Sequence, residues 1–336
     1  MNILILSNQS YDPHPHFVGE FLGSKGANVR FLYSNAGTDW RFHVKVTGAG
    51  STCLICEESL DDVDVVYAHR IAAPRAVNDS IQDSSINDFI NKEWMQAYWS
   101  LLFYLEENSA WVNPLHNAMK SNSKIVQLVQ ASSCGFKIPD TLFSNFYDEV
   151  LQFYNSKSDI VFKCLAHHQF VDDGYLMKSP TSLILEHHIK NRSCIECAPS
   201  IYQELIAKKR DIRVHVFGDN VIPVSIEVPE AESVLDWRIY PTNSLKLDAY
   251  EMDKLTCDRC LHLNKALGLA VSIIDLIEDV EGRLWFLEVN EMGQWLWVHR
   301  RLLELQLLEH FCSAIINAGR REFPRSSEPE LQMGGD

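Results

Sequence analysis

The stretch VSIIDLIEDVEGRLWFLEVN, residues 271–290, decides the fold because it reads as two apolar strands joined by a turn. Strands are predicted at 270–277 and 283–290, with the turn at 279–282. Side chains alternate between the two faces of a strand, so Glu288 and Asn290 point the same way. The turn brings Asp275 back to that face. The sequence therefore predicts three polar side chains on one face of an apolar hairpin.

These three side chains, Asp275, Glu288 and Asn290, offer carboxylate and amide oxygens at close spacing. Oxygen ligands of this kind suit Mg²⁺, which keeps waters and completes its octahedron with substrate phosphates. The alternative is a solvated polar face. Because carboxylates in an apolar run are costly to bury without a counterion, the pattern favours a metal site.

Four basic residues are candidates for the negative end of a nucleotide. Lys163 ends a predicted strand at 160–163, and Lys124 opens a predicted helix at 124–134, where the helix N-terminus also favours phosphate. Arg213 and Arg238 could bind a γ-phosphate or a carboxylate with two parallel hydrogen bonds. For each of them the alternative is a solvated surface cation or a surface ion pair.

The rest of the chain is a mixed α/β and α+β sequence. Its N-terminal part alternates strand and helix, which predicts a small parallel sheet, and it lacks the Gly-x-Gly-x-x-Gly fingerprint of dinucleotide-binding folds. The remaining predicted elements are strands at 3–6, 29–33, 63–67, 141–143, 182–189 and 201–205, a hairpin at 211–217 and 221–228, and helices at 17–25, 92–107, 248–267 and 297–318.

Length and charge restrict the function classes. The 336 residues fit two or three packed subdomains, and a formal charge of −15 argues against binding to a nucleic-acid backbone. No apolar run approaches the roughly 20 residues that span a bilayer, and the N-terminus lacks a signal peptide, so we expect no membrane association and a cytoplasmic location.

Nine cysteines include three Cys-x-x-Cys pairs, which raises the possibility of structural zinc. One pair, Cys257 and Cys260, lies in a predicted helix, where Cys260 continues the apolar stripe of Leu263 and Leu267. Core packing explains that pair. The other two pairs, 53/56 and 194/197, are far apart in sequence and have no regular partner, so zinc is the minor alternative.

Three segments carry a resemblance to a known family: QELIAKKRDIRVHVFGD at 203–219, DWR at 236–238 and LGLAVSIIDLIEDVEGRLWFLEVNEMGQWLW at 267–297. They resemble the ATP-grasp superfamily, and more narrowly the microviridin-type ligases that mature graspetides. Upstream, VDVVYAHR at 63–70 and the run at 111–145 are similar to the same group. The resemblance implies a pre-ATP-grasp domain at 1–115, a central lid subdomain at 116–200, a C-terminal catalytic subdomain at 201–324, and a disordered tail at 325–336.

The resemblance also implies a role for each candidate residue. Lys124 and Lys163 would bind the phosphates of ATP, and Arg213 and Arg238 would face the γ-phosphate and an acyl phosphate. Two Mg²⁺ ions would be held by the three oxygen ligands described above. The hinge that hydrogen-bonds adenine would be formed by Gln203, Glu204, Leu205 and Ile206. One departure is the segment 164–180, which contains only Gly174 where such enzymes close a glycine-rich loop; His167, His168 and Lys178 could replace its contacts.

The implied reaction is ATP-dependent activation of Asp or Glu side chains of a ribosomal precursor peptide, followed by crosslinking to Ser/Thr hydroxyls or a Lys amine. The partner would be a precursor peptide whose leader segment binds away from the metal, on the central domain or the hairpin at 211–228, and the enzyme could form a homodimer. The alternatives are a ligase for amino acids or dipeptides and a non-catalytic nucleotide-binding regulator.

Overall fold

Five β-sheets organise the part of the chain that the computed structural model describes, residues 1–34, 40–48, 50–74, 83–165, 169–172, 175–178, 181–229 and 235–320. The strands are β1 Asn2–Ser7, β2 Asn28–Tyr33, β3 Phe42–Thr47, β4 Gly50–Ile55, β5 Glu58–Ser59, β6 Val65–His69, β7 Ala110–Val112, β8 Thr141–Ser144, β9 Ile160–Lys163, β10 Gln169–Asp172, β11 Tyr175–Lys178, β12 Ser182–Leu183, β13 Ser200–Glu204, β14 Lys208–Phe217, β15 Asn220–Glu227, β16 Lys246–Ala249, β17 Val271–Asp279 and β18 Leu284–Asn290. The α-helices are α1 Pro13–Ser24, α2 Ser84–Asn108, α3 Leu115–Ser121, α4 Lys124–Ser133, α5 Tyr147–Ser156, α6 Glu186–Ile189, α7 Arg192–Glu196, α8 Lys254–Leu267, α9 Leu296–His299 and α10 Leu307–Arg320.

The N-terminal region is built on a parallel sheet in the order β2-β1-β6-β7, which confirms the predicted parallel sheet. Helix α1 starts at Pro13, four residues before the predicted start, because the Asp12 side chain accepts a hydrogen bond from the His14 amide and caps the helix. The small antiparallel sheet β3-β4-β5 was not predicted.

The central region contains the antiparallel sheet β12-β9-β13-β8 and the separate hairpin β10-β11. The predicted strand at 182–189 is wrong: only Ser182–Leu183 pairs with β9, and the chain then turns into helix α6. The predicted helix at 124–134 is confirmed as α4, which Ser123 caps and which ends before Gly135, a residue with φ +85°.

The C-terminal region is a five-stranded antiparallel sheet in the order β16-β15-β14-β17-β18. Both predicted hairpins are confirmed within it. One face of the sheet packs against α4 and α8 through residues such as Val214, Ile274 and Phe286. The other face is apolar at one end, where Phe217 and Ile273 join a core with the N-terminal sheet and α10, and charged at the other end. The charged end therefore lies beside the junction of the chain's regions.

Two helix predictions need correction. The predicted helix at 248–267 begins only at Lys254, where Asp253 caps it, because residues 246–249 extend the sheet as β16. The predicted helix at 297–318 is wrong as a single element: α9 and α10 are separated by a short 3-10 helix and by Gln306, whose φ of 49° cannot continue a right-handed helix.

The predicted tail at 325–336 lies outside the described residues, as do His167, His168 and Gly174 and the side chain of Lys178. Within the described residues, every helix is too short or too polar to cross a membrane.

Candidate active site

A row of three charged residues crosses the C-terminal sheet. Arg213 on β14 lies directly opposite Asp275 on β17, which in turn lies opposite Glu288 on β18. Asn290 is two residues further along β18 on the same face. Because these positions are fixed by backbone register, the sheet itself holds the side chains close together. The structure thus brings the three predicted oxygen ligands together, with Arg213 beside them.

Asp275 is held by two neighbours. The Arg213 guanidinium donates through Nη1 to Oδ1 and Oδ2 at 2.8 and 3.1 Å, and the Asn290 amide donates to Oδ2 at 2.8 Å. Burial raises the pKa of Asp275, Arg213 opposes this effect, and the adjacent Glu288 carboxylate adds to it. Asp275 therefore lies in surroundings where an additional cation would be favourable.

Glu288 is clamped between two cations from other parts of the chain. Lys124, the first residue of α4, donates to Oε2 at 2.5 Å, and Nη1 of Arg238 donates to Oε1 at 3.3 Å. Burial alone would raise the pKa of Glu288, but Lys124 and Arg238 lower it to about 2. Glu288 is therefore ionised at neutral pH, and its two oxygens lie at the centre of a basic cluster.

Lys163 reaches the cluster from the central sheet. Its ammonium donates to Oε1 of Gln203 on the neighbouring strand at 2.6 Å, and Gln203 in turn donates to the Thr141 hydroxyl at 2.8 Å. Burial, together with the charges of Arg238 and Lys124, lowers the pKa of Lys163 to about 8, although Glu288 opposes the shift. The ammonium is thus poorly compensated and would gain from an anion.

The predicted hinge, residues 203–206, lies at the end of β13, but some of its hydrogen-bonding groups are already paired within the protein. The amides of Glu204 and Leu205 already donate to the carbonyls of Asp140 and Asp159, and the Gln203 side chain faces Lys163. The side chain of Gln203 is therefore part of the basic cluster around Lys163. The adenine assignment therefore cannot use the amides of Glu204 and Leu205, which are already paired.

Sequence reasoning missed two groups that shape this site. Asp236 caps the short 3-10 helix at 237–239 and binds Arg238 through both carboxylate oxygens at 2.8 Å, which orients the guanidinium toward Glu288. The carbonyl of Gln294 accepts from Nη2 of Arg213 at 3.1 Å. The spacing Asp-x-Arg could have predicted the contact between Asp236 and Arg238. The contact between Arg213 and the Gln294 carbonyl leaves no signal in the sequence, because it involves the backbone.

The cysteine prediction is confirmed where it concerned packing. Cys260 is fully buried beside Leu263 and Leu267. Among the described residues, the group of His, Cys, Asp and Glu side chains with metal-like spacing is Asp12, His14 and His69, at the end of the N-terminal sheet.

The charge balance of the site decides what it can hold. Four cations, Lys124, Lys163, Arg213 and Arg238, lie among three carboxylates, Asp236, Asp275 and Glu288, with Glu291 and the Lys208–Asp211 ion pair close by. Several cations that are partly desolvated favour a polyanion, and the pair of adjacent carboxylates with the Asn290 amide favours a hard cation beside it. The residues present therefore fit a magnesium-polyphosphate ligand.

The arrangement of an antiparallel central sheet facing a charged C-terminal sheet, behind an N-terminal α/β unit, is the ATP-grasp fold, and solved structures match it over almost the whole chain. A RiPP-associated ATP-grasp ligase of Chryseobacterium gregarium, solved with ADP and a leader and core peptide, superposes with a TM-score of 0.85 at 20% identity, covering 94% of this chain and 97% of the other. The ATP-grasp ligase PsnB with minimal precursor, Mg and ADP gives 0.75 at 20% identity over 95% and 97%.

D-alanyl-alanine synthetase A of Vibrio cholerae matches with a TM-score of 0.60 at 14% identity, over 95% of this chain and 98% of the other. No protein-family model matches the chain, and a search of curated proteins found no match. The likeness to these structures establishes the fold.

Proposed function

We propose that this protein is an ATP-dependent ligase that activates Asp or Glu side chains of a ribosomal precursor peptide as acyl phosphates and crosslinks them to Ser/Thr hydroxyls or Lys amines. The observation that carries the proposal is the convergence of Arg213, Asp275 and Glu288 in one row of the sheet with lysines from two other elements. A polyphosphate and a carboxylate substrate both require such a basic centre.

In this proposal Lys124 and Lys163 bind the ATP phosphates, because the Lys124 ammonium contacts Glu288, and the Lys163 ammonium is within range of the Glu288 charge but lacks a full counter-charge. Asp275, Glu288 and Asn290 would hold Mg²⁺, which neutralises charge on the phosphates when bound. Binding would require Glu288 to exchange its contact with Lys124 for the metal, and this exchange would free the Lys124 ammonium for phosphate. Adenine would contact the segment 204–206.

The reaction begins when an oxygen of the substrate carboxylate attacks the γ-phosphorus of ATP, and the bond from this phosphorus to the β-γ bridging oxygen breaks, releasing ADP. Arg213 and Arg238 would stabilise the charge on the transferred group, since Asp275 and Asp236 already orient their guanidinium groups. A hydroxyl or amine then attacks the acyl carbon, loses its proton to the released phosphate or solvent, and forms an ester or amide as phosphate leaves.

A peptide substrate is supported by the fold comparison. The Chryseobacterium ligase was solved with leader and core peptides and resembles this chain more closely than the dipeptide-forming synthetase of Vibrio cholerae, by TM-scores of 0.85 and 0.60. The hairpin β14-β15 offers a leader little free strand edge for pairing. Strand β14 lies between β15 and β17, and β15 pairs with β16 along residues 224–227. The edge strand β8 of the central sheet is a better candidate for such pairing.

The proposal is tested by incubating the enzyme with ATP, Mg²⁺ and the precursor encoded beside its gene, and following peptide mass and ADP together. Each crosslink must remove one water and release one ADP. ADP release that is equally fast with free amino acids and no peptide would favour the small-molecule ligase. This is the second candidate because the structure of D-alanyl-alanine synthetase A also matches this chain. ATP binding without any turnover would instead favour a regulator.

A further inference from the structure

The segment 291–296, which we call the Trp295 loop, runs directly from the end of β18 to α9 and is held by helix α1 of the N-terminal region. The ring nitrogen Nε2 of His14 accepts hydrogen bonds from the amides of Trp295 and Leu296 at 3.3 and 3.1 Å. The imidazole also packs edge-on against the Trp295 indole, with ring centroids 5.7 Å apart. His14, near the N-terminus, thus accepts hydrogen bonds from two backbone amides of the loop next to the candidate metal site.

These contacts determine the tautomer of His14. Because Nε2 accepts two amide protons, it carries no proton, so the proton of the neutral ring is on Nδ1 and donates to Oδ1 of Asp12 at 3.3 Å. Oδ2 of Asp12 accepts from Nε2 of His69 at 3.1 Å, and Nδ1 of His69 accepts from the Tyr67 hydroxyl at 3.0 Å. All four side chains are buried. The chain of hydrogen bonds runs from Tyr67 to the Trp295 loop with each donor matched to an acceptor.

Asp12, His14 and His69 also have the spacing of a metal site. A metal bound to Nδ1 of His14 would move the ring proton to Nε2, where it would oppose the amide hydrogens of Trp295 and Leu296. The two amide contacts therefore favour a hydrogen-bond relay over a metal centre. Burial and the neighbouring His69 lower the pKa of His14 to about 4, which keeps the ring neutral near pH 7.

The Trp295 loop connects this relay to the reacting groups. The carbonyl of Gln294, next to the anchored Trp295 amide, accepts from Nη2 of Arg213, whose Nη1 binds Asp275. At the start of the loop, Asn113 donates to the carbonyl of Glu291 at 3.0 Å. The loop is thus anchored at both ends, and its position sets one of the contacts that orient the Arg213 guanidinium, beside those with Asp275 and the Trp237 ring.

We propose that His14 is a positioning residue for the ligation reaction, acting by holding the Trp295 loop so that the Gln294 carbonyl orients Arg213 toward Asp275. This inference rests on the proposed function. Asp12 and His69 support it by keeping the His14 proton on Nδ1. The expected effect is on the chemical step, because Arg213 would stabilise the transferred γ-phosphoryl group, whereas Lys124, Lys163 and the hinge would hold the rest of the nucleotide.

The test compares His14→Phe, which keeps an aromatic ring but has no acceptor, with His14→Gln, whose side-chain oxygen can accept an amide proton at similar reach. His16→Phe is the matched control, because His16 lies on the same helix and contacts Ser10 instead of the loop. Peptide-dependent ADP release should show kcat lowered by about tenfold or more in His14→Phe, with the KM for ATP changed by less than about threefold. His14→Gln should recover part of kcat, and His16→Phe should resemble the wild type.

Equal kcat in His14→Phe and the wild type, or a loss confined to the KM for ATP, would overturn the inference. Long-range ¹H–¹⁵N NMR of the wild-type histidine rings, assigned by the signal lost in His14→Gln, should show the Nδ1-protonated tautomer of His14; an Nε2-protonated ring would also overturn it. If the wild type itself releases no ADP with peptide, the proposed function fails, whereas the tautomer measurement still decides the state of the relay.

Discussion

The pKa of the buried Lys163 ammonium leads to a prediction about proton uptake when ATP binds. In the structure, burial and the charges of Arg238 and Lys124 lower the pKa of Lys163 to about 8. If Lys163 binds the phosphates of ATP, the added negative charge raises this pKa again, toward its ordinary value of 10.5. ATP binding should therefore take up protons near pH 8.

The size of the effect follows from the two pKa values. A group with a pKa of about 8 is roughly half neutral at pH 8 and about one-tenth neutral at pH 7, so binding should take up about half a proton at pH 8 and about 0.1 at pH 7. The sign is fixed because the charged form is the one that binds. Affinity for ATP should fall roughly tenfold between pH 7 and pH 9, about 1.4 kcal/mol, as the free enzyme loses its proton.

Isothermal titration calorimetry with Mg²⁺ and ATP, without peptide, measures this uptake from the dependence of the binding enthalpy on the ionisation enthalpy of the buffer. ATP itself contributes little, because phosphate groups with a pKa near 6 are ionised at pH 8. Lys163→Arg is the matched control: arginine stays charged, so its proton uptake should fall close to zero. Lys163→Ala should weaken ATP binding more than peptide binding.

A wild-type enzyme that takes up no proton at pH 8, or a Lys163→Arg variant with the same uptake as the wild type, would contradict the assignment of Lys163 to the phosphates. Unchanged ATP affinity in Lys163→Ala would remove this residue from the site altogether.

Two further substitutions test the opposite side of the site. Glu288→Gln removes, at almost constant volume, the negative charge that Lys124 and Arg238 contact, and should lower peptide-dependent ADP release by roughly 100-fold or more. Glu281→Gln, on the exposed turn of the same hairpin, is the control and should leave ADP release unchanged. Wild-type turnover in Glu288→Gln would refute the metal assignment. Gly293→Ala would place a Cβ 2.7 Å from Cδ1 of Ile273, so it should displace the Trp295 loop and lower both kcat and the thermal unfolding midpoint. Gly23→Ala is the control, because a Cβ there has no atom within contact distance, and it should lower neither quantity. Equal behaviour of the two variants would show that the close packing at Gly293 is unimportant.

Local rules account for what could be predicted from the sequence alone. Alternation along β18 placed Glu288 and Asn290 on one face, because this relation depends only on residues close in the chain. Asp275 shares that face through an irregularity that the alternation does not predict: Leu276 pairs with Phe286, and a register shift between Asp275 and Leu276 then pairs Asp275 with Glu288. Helix α4 was predictable from its apolar pattern and from Gly135 at its end. Boundaries failed where tertiary pairing competed with helix propensity, as at residues 246–249, which the sheet recruits as β16.

The tertiary structure alone decided which charges meet. The resemblance grouped the basic residues and carboxylates at one site, yet only the packed sheets pair Lys124 with Glu288, place Gln203 beside Lys163, and bring His14 to the Leu296 amide, 282 residues away in sequence. Such contacts depend on how layers pack and on backbone groups that every residue shares. A sequence encodes backbone amides and carbonyls identically at nearly every position, so the anchoring of the Trp295 loop is decided by the three-dimensional fold.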